Sequence, residues 1–203
     1  MKIIHFLSLG LAATTLAACA TTPRVSPVEV TRFHQSAATA QLGSGTIFVE
    51  NAPGEGGESL ELTPYKAAIA TELARLGYRE ASRAEADQVA QVRVERYVDR
   101  PGQRRNPVSV GVGGSTGTYG SGVGLGLGIN LGGGQREMLG TDLGVMIRDK
   151  TSTNVLWEGR ASISVSDNSQ FADSGANASA IAEALFREFP GNNGETVEVR
   201  VAN

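Results

Sequence analysis

Apolar and polar residues alternate with a period of two along several stretches, and this pattern predicts most of the strands. The first is predicted over residues 28–34, with Val28, Val30 and Arg32 on one face. Others are predicted over residues 46–50, 89–98 and 196–201. The clearest is a hairpin, in which residues 139–147 and 155–165 each keep one apolar face and flank the polar turn 149–154.

Two other stretches have apolar residues at helical spacing. The first helix is predicted over residues 64–76, with Thr63 as its N-cap, Pro64 in its first turn and Gly77 after its last residue. The second is predicted over residues 176–189 and is ended by the following Pro-Gly pair. Each helix has one apolar stripe, formed by Tyr65, Ile69, Leu73 and Leu76 in the first and by Ile181, Leu185 and Phe189 in the second.

The predicted order is β-β-α-β, then a glycine-rich insert, then β-β-α-β. Helices with one apolar stripe and strands with one apolar face bury these surfaces against each other, so we predict an α+β fold. It is a two-layer sandwich, with a largely antiparallel sheet, two helices on one face and a glycine-rich hairpin as an insert. Trp157 lies on the apolar face of the second hairpin strand and is predicted to be in the core.

The insert, residues 106–135, contains no charged side chain. Twelve of the twenty-five residues from 110 to 134 are glycine, and valine, leucine or isoleucine alternates with many of them. We predict a hairpin over residues 108–131 with one aliphatic face and one nearly bare face. Three interpretations stay open: it folds back on its own sheet, it is a surface for self-association or a protein partner, or it enters the outer membrane as part of an oligomer.

The N-terminus has the pattern of a secretion signal. Lys2 precedes an apolar run over residues 3–13, and small residues come directly before Cys19, the only cysteine of the chain. This segment resembles the lipobox of bacterial lipoproteins, which implies a signal peptide over residues 1–18 and lipidation at Cys19. An ordinary secretory signal that ends at a cysteine is the alternative.

This N-terminus sets the organisation of the rest of the chain. A lipidated tether is predicted over residues 19–27, and a single α+β domain over residues 28–203. The neutral Ala20 after the cysteine resembles lipoproteins sent to the outer membrane. We therefore predict a cell-envelope location, with the protein bound to the outer membrane through the lipid at Cys19 and facing the periplasm.

Composition excludes several classes of function. The formal net charge is −3, so the chain lacks the basic footprint of a nucleic-acid-binding protein. After the signal, His34 is the only histidine, and no cysteine follows Cys19. Zinc, haem and iron–sulfur centres depend on these residues, so we predict no metal and no cofactor. His34 itself is expected to be a partly buried strand residue.

The motifs that suggest catalysis are incomplete. Residues 113–117 match G-x-S-x-G, but no histidine follows them, and Ser166-Asp167-Asn168 lacks the other β-lactamase elements. Two groups of loop acids could bind a cation or transfer a proton, namely Glu55, Glu58 and Glu61, and Asp167 and Asp173. We therefore predict a binding or assembly component and no enzyme; an envelope enzyme with an acidic-loop site is the alternative.

Several pieces of the chain resemble one family of bacterial envelope lipoproteins, which carries a domain of unknown function, DUF4136. Besides the lipobox, they are the helix end 73–78, the strand 89–98, the hairpin pieces 147–149 and 155–161, and the final stretch from Ile181 to Phe189-Pro190. The resemblance implies an α+β envelope domain with no established activity, and it brings no catalytic residues to this chain. The tail after Pro190 extends beyond it.

Overall fold

The computed structural model of the protein describes residues 22–54, 60–99 and 137–202. Its strands are β1 (Val28–His34), β2 (Thr46–Asn51), β3 (Arg79–Glu80), β4 (Gln88–Asp99), β5 (Met138–Asp149), β6 (Val155–Ser166) and β7 (Thr196–Val199). The two main helices are α1 (Thr63–Arg75) and α2 (Ser174–Phe186). Short 3-10 helices cover Ser36–Gln41 and Gln170–Ala172.

The strands form one sheet in the order β3-β2-β4-β5-β6-β1-β7. β2 runs parallel to β3 and β4, and every other neighbouring pair is antiparallel. The predicted α+β class with a largely antiparallel sheet is therefore confirmed. The sequence analysis did not predict β3, because two residues are too few to show a period.

The two helices pack against each other and cover one face of the sheet. The stripe of α1 is buried at Tyr65, Ile69 and Leu73, as predicted. α2 is more deeply covered, because only a narrow stripe at positions 175, 179, 183 and 187 is exposed. The sheet contributes its alternate apolar residues, so that one core lies between the two layers. None of the helices among the described residues has the length and apolar character needed to cross a membrane.

The observed helix ends differ from the prediction at the start of α1 and at both ends of α2. Thr63 is the first residue of α1, and the N-cap position that was predicted for it is taken by Leu62. The predicted end of α1 is right: Gly77 has φ +105°, and the N–H groups of Gly77 and Tyr78 donate to Ala74 O and Leu73 O, both at 3.1 Å.

α2 begins and ends earlier than predicted. Its N-cap is Asp173, whose Oδ1 accepts from the N–H groups of Gly175 and Ala176 at 2.9 and 3.0 Å. The helix ends at Phe186, so Phe189 does not extend its stripe. Phe189 instead lies beside Trp157, with ring centroids 5.2 Å apart.

Both ends of the described chain are tied to the sheet. In the segment predicted as a tether, Arg24 O accepts from Ser166 N at 2.8 Å and Ser26 N donates to Ser164 O at 2.9 Å, which extends the pairing of β6. The tail after Pro190 returns along β1: Gly194 N donates to Arg32 O at 2.8 Å before β7 pairs with β1. The predicted last strand is therefore real, although it ends at Val199.

Candidate functional site

The side of the sheet opposite the helices has no second layer among the described residues. We call it the open face; on β4, β5, β6 and β1 it consists of Gln91, Arg93, Glu95, Tyr97, Gly140, Asp142, Gly144, Met146, Glu158, Arg160, Ser162, Ser164, Glu29, Thr31 and Phe33. Its central part is a groove of about 530 Å³. The groove brings together charged side chains from β4, β5 and β6, so it is the candidate functional site.

One row of residues across the open face is acidic. Asp142 lies directly opposite Glu95 on β4, and Glu29 lies directly opposite Glu198 on β7. Ser162 on β6 separates the two pairs, because it is opposite both Asp142 and Glu29. Like charges that face each other across antiparallel strands destabilise a sheet. The four carboxylates therefore concentrate negative charge on this part of the open face, with Arg93 and Arg160 in the next row.

The next row combines two arginines with a glycine. Gly144 on β5 lies between Arg93 on β4 and Arg160 on β6. Arg160 donates from Nε and Nη2 to Glu158 Oε1 at 2.9 and 2.6 Å. This pair is exposed, so it contributes little to stability, roughly 0–1 kcal/mol. The missing side chain at Gly144 leaves the floor of the groove open between the two guanidinium-bearing strands.

A third charged group lies at the β2 side of the groove. Glu50 accepts from Arg83 Nε at 2.7 Å and from Gln91 Nε2 at 3.1 Å. Burial works against ionisation of this carboxyl, but the hydrogen bonds from Arg83 and Gln91 hold the pKa of Glu50 below its ordinary value. Glu50 is therefore a carboxylate at neutral pH and is positioned by its neighbours.

The effect of the missing side chain at Gly144 can be tested by introducing a larger residue there. A Cβ atom at Gly144 would meet nothing closer than Arg93 Cβ at 4.0 Å, so we expect Gly144→Val to keep or raise the free energy of unfolding, by up to about 1 kcal/mol. Gly159 on the opposite face is the matched control. There a Cβ atom would overlap the Trp157 ring and lie 2.8 Å from Leu185 Cδ1, so Gly159→Ala should cost about 1–3 kcal/mol. Urea denaturation of both variants checks this, and equal midpoints would contradict it.

The acids singled out from the sequence do not converge in the structure. Asp173 caps α2, Asp167 is exposed beside the end of β6, and Glu61 is exposed before α1. Within residues 22–54, 60–99 and 137–202, no three His, Cys, Asp or Glu side chains are grouped so that they could hold a metal ion. Glu55 and Glu58 lie outside the described residues, as do Cys19, the G-x-S-x-G match and residues 108–131.

The two remaining candidates have structural partners. Ser166 is buried; its Oγ donates to Asn168 Oδ1 at 2.7 Å and accepts from Arg24 N at 2.9 Å. His34 is half-buried, as predicted, and its Nε2 lies 3.2 Å from Gly191 O. The residues of the open face were visible in the sequence only as the polar half of each strand. Their arrangement in rows depends on the order and register of all the strands, of which the sequence indicated only the pairing of β5 with β6.

The fold and the open face define an α+β domain with a one-sided helix layer. The chain belongs to the family described as "Domain of unknown function (DUF4136)", whose model matches residues 30–191. This confirms the resemblance to DUF4136 that was found in the sequence. The match ends at Gly191, so the tail that forms β7 lies beyond it. No curated protein matches the chain.

Two solved structures are similar to parts of this chain. A PelC dodecamer from Paraburkholderia phytofirmans is 12% identical, with a TM-score of 0.42, over 81% of this chain and 94% of that one. A PDZ domain protein from Parabacteroides distasonis is 19% identical, with a TM-score of 0.48, over 87% of this chain. The present chain spans 38% of the length of that second protein.

Proposed function

We propose that this protein is a lipid-anchored component of the bacterial cell envelope that acts by binding, without catalysis, and that the open face is its binding surface. The acidic row carries this proposal. A sheet face that places Asp142 opposite Glu95 and Glu29 opposite Glu198 concentrates negative charge on one part of the domain surface. A partner with cationic groups would complement these carboxylates on binding.

The positions of the chemically active side chains support binding over catalysis. Catalysis by a nucleophile or a general base needs groups within hydrogen-bond reach of each other and of a substrate. Asp173, Ser166 and His34 are instead engaged by a helix terminus, a neighbouring loop and a tail carbonyl. The charged side chains of the groove are suited to recognise a partner by charge and shape.

Photo-crosslinking tests the open face. A crosslinking amino acid at Ser162, which is exposed in the groove, should capture a partner in intact cells, whereas one at Ala67, exposed on α1, should not. Gly144→Val should abolish the Ser162 adduct because it fills the groove while keeping the fold. Identical adducts from both positions, or an adduct at Ser162 that is indifferent to Gly144→Val, would count against the open face.

Lipidation at Cys19 is tested separately. The apolar run, the small residues before the cysteine and the absence of any other cysteine in the chain support it. Mass spectrometry of the mature N-terminus should show acylated Cys19, and Cys19→Ser should leave an unprocessed or mislocalised product. An unmodified Cys19, or cleavage at another position, would show that the anchor is wrong.

Self-association through residues 108–131 is a second proposed function. Asp99 and Met138, which flank residues 100–137, are direct partners in neighbouring strands, so this segment leaves and rejoins the sheet at one place. No Lys, Glu or Pro interrupts residues 108–131, and an uncharged strand edge is a template for further pairing.

Deletion of residues 111–131 separates the alternatives for this segment. If it is an assembly surface, the deletion should leave the domain folded and abolish self-association or partner capture, and Leu127→Asp should have the same effect. If it only folds back on its own sheet, stability should change and association should not. Size-exclusion chromatography with light scattering decides, and monomeric elution of the wild type and both variants would rule out self-association.

A further inference from the structure

We infer that one end of the sheet rests on the lipid surface, so that the domain stands upright on the membrane. This end, called here the membrane end, consists of the last residues of β4 and β6, the first residues of β5 and the segment at Val25. The inference rests on the proposed anchor at Cys19 and adds an orientation and a contact surface to it. The partner is a phospholipid bilayer.

An apolar row crosses the sheet at the membrane end. Val98 is opposite Leu139, Leu139 is opposite Val165, and Val165 is bridged to Val25. Val165 is fully buried, Leu139 and Val25 are half-buried, and Val98 is 48% exposed. The row therefore continues the core, and the exposure of its side chains increases from Val165 on β6 to Val98 on β4.

The helix layer begins just short of this row. Arg96, two residues before Val98, donates to Ser174 Oγ at 2.6 Å and to Ala172 O at 3.0 Å. These contacts fix the first residue of α2 at the level of Arg96. The apolar side chains beyond that level therefore lie past the start of α2.

α1 brings a second exposed apolar side chain to the same end. Tyr65, in its first turn, donates from its hydroxyl to Asn177 Oδ1 at 2.9 Å, which places the start of α1 beside the start of α2. Leu60, three residues before α1, is 94% exposed. Among the described residues, three large apolar side chains are exposed; Leu60 and Val98 are at this end, and Phe33 is near the other end of β1.

The position of the proposed anchor also indicates that this end of the sheet faces the membrane. Arg24 is hydrogen bonded to Ser166 at the end of β6, and Cys19 precedes it by five residues. Five extended residues reach at most about 18 Å. Strands β4, β5 and β6 each have 12 residues, and a strand of that length is about 40 Å long. The turn between β5 and β6 is at the opposite end of these strands, so it lies too far from Cys19 to contact the membrane in which the lipid of Cys19 is inserted when the domain stands upright.

A domain lying flat is less compatible with the charges. Contact through the open face would bring Glu29, Glu95, Asp142 and Glu198 against phospholipid phosphates, with Arg93 and Arg160 as the opposing charges. Anionic lipid surfaces repel such carboxylates. The membrane end also has exposed acids, Glu61, Glu137 and Asp167, but there they lie beside the exposed apolar side chains of Leu60 and Val98, which the acidic row of the open face does not have. Contact through α2 would press its polar stripe of Ser179, Glu183 and Arg187 onto the bilayer.

Site-specific fluorescence on the lipidated protein tests the orientation. Because Cys19 is acylated and no other cysteine exists, a new cysteine is the only reactive thiol. Val98→Cys and Leu60→Cys report on the membrane end, and Thr151→Cys, exposed in the turn at the far end, is the matched control. Each variant is labelled with an environment-sensitive dye and reconstituted in phosphatidylethanolamine–phosphatidylglycerol vesicles that contain a spin-labelled lipid quencher.

We expect loss of most of the fluorescence from the labels at Val98 and Leu60, and no loss from the label at Thr151. Equal quenching at all three positions in protein that floats with the vesicles would overturn the orientation and leave the anchor intact. A blue-shifted but unquenched label at Val98 would show that protein covers the row, from a second copy or from the chain itself, and would also overturn the lipid contact. Protein that does not float would overturn both the anchor and the orientation.

Discussion

Replacing Trp157 with alanine is expected to lower the free energy of unfolding by about 3–5 kcal/mol. Trp157 is fully buried, and its ring stacks on Phe186 with centroids 5.4 Å apart. Its Nε1–H donates to Pro190 O at 3.0 Å, so the side chain also holds the chain after α2. The alanine variant would therefore create a cavity and leave a carbonyl without its donor. Domains have a total stability of about 5–15 kcal/mol, so this loss is large.

Two variants serve as controls for the Trp157 prediction. Trp157→Phe keeps an aromatic ring but loses the bond to Pro190 O, so we expect a smaller loss, of about 1–3 kcal/mol. Leu60→Ala removes an apolar side chain that is 94% exposed, and it should change the stability by less than about 0.5 kcal/mol. Chemical denaturation measures all three variants. An unchanged midpoint for Trp157→Ala would mean that this face of β6 is not part of the core.

The strands could be predicted well because their information is local. Val28–His34 has the predicted bounds. The ends of β4, β5 and β6 differ from the prediction by at most one residue, except that β5 continues two residues further, to Asp149. One apolar face in a period of two is sufficient to define such a strand. The parallel pairing of β2 with β4 was not predicted, because it depends on the path of α1 between them.

The ends of α2 could not be predicted in the same way. Phe189 continues the apolar spacing of Ile181 and Leu185, yet the helix stops at Phe186. The carbonyl groups at the end of the helix accept hydrogen bonds from Arg32, which lies on β1 and is distant in the sequence. Its position on an apolar face was visible in the alternation of β1, but the carbonyl groups that it binds were not.

The candidate site could not be predicted from the sequence either. Glu29, Glu95, Asp142 and Glu198 are spread over four strands, and in the sequence each is an ordinary solvent-facing residue. Only the strand order and register bring them into one row. By contrast, the lipidation signal at Cys19 depends on a continuous segment, which is why it could be proposed from the sequence alone.

Arg32 is almost completely buried, at 1% exposed, and its hydrogen bonds connect the sheet, α2 and the tail. Its Nε donates to Leu185 O at 3.2 Å, and its Nη2 donates to Arg187 O at 2.6 Å and to Ala184 O at 3.4 Å. The last carbonyls of a helix have no partner within the helix. The guanidinium supplies that partner, and its positive charge suits the negative end of the helix dipole.

Glu195 completes this arrangement from the tail. It accepts from Arg32 Nη1 at 3.1 Å and from Asn192 N and Nδ2, both at 2.9 Å. The hydrogen bonds from Asn192, followed by Arg32, lower the pKa of Glu195 below its ordinary value. A carboxyl with a lowered pKa stabilises the fold above its ordinary pKa, and this contribution is lost as the pH falls through the lowered value. Glu195→Gln should therefore reduce the acid sensitivity of unfolding.

Arg32→Leu should lower the free energy of unfolding by about 3–5 kcal/mol, because it leaves the carbonyls of α2 buried without a donor. Arg32→Lys should fall between this variant and the wild type, since an ammonium cannot reproduce the planar set of donors. Arg75→Ala is the matched control: Arg75 is 65% exposed and pairs with Glu72, so its loss should cost less than about 1 kcal/mol. Urea denaturation at neutral pH measures the three variants. If Arg32→Leu were as stable as Arg75→Ala, the carbonyls of α2 would have other partners, and Arg32 would not be what joins β1 to the end of that helix.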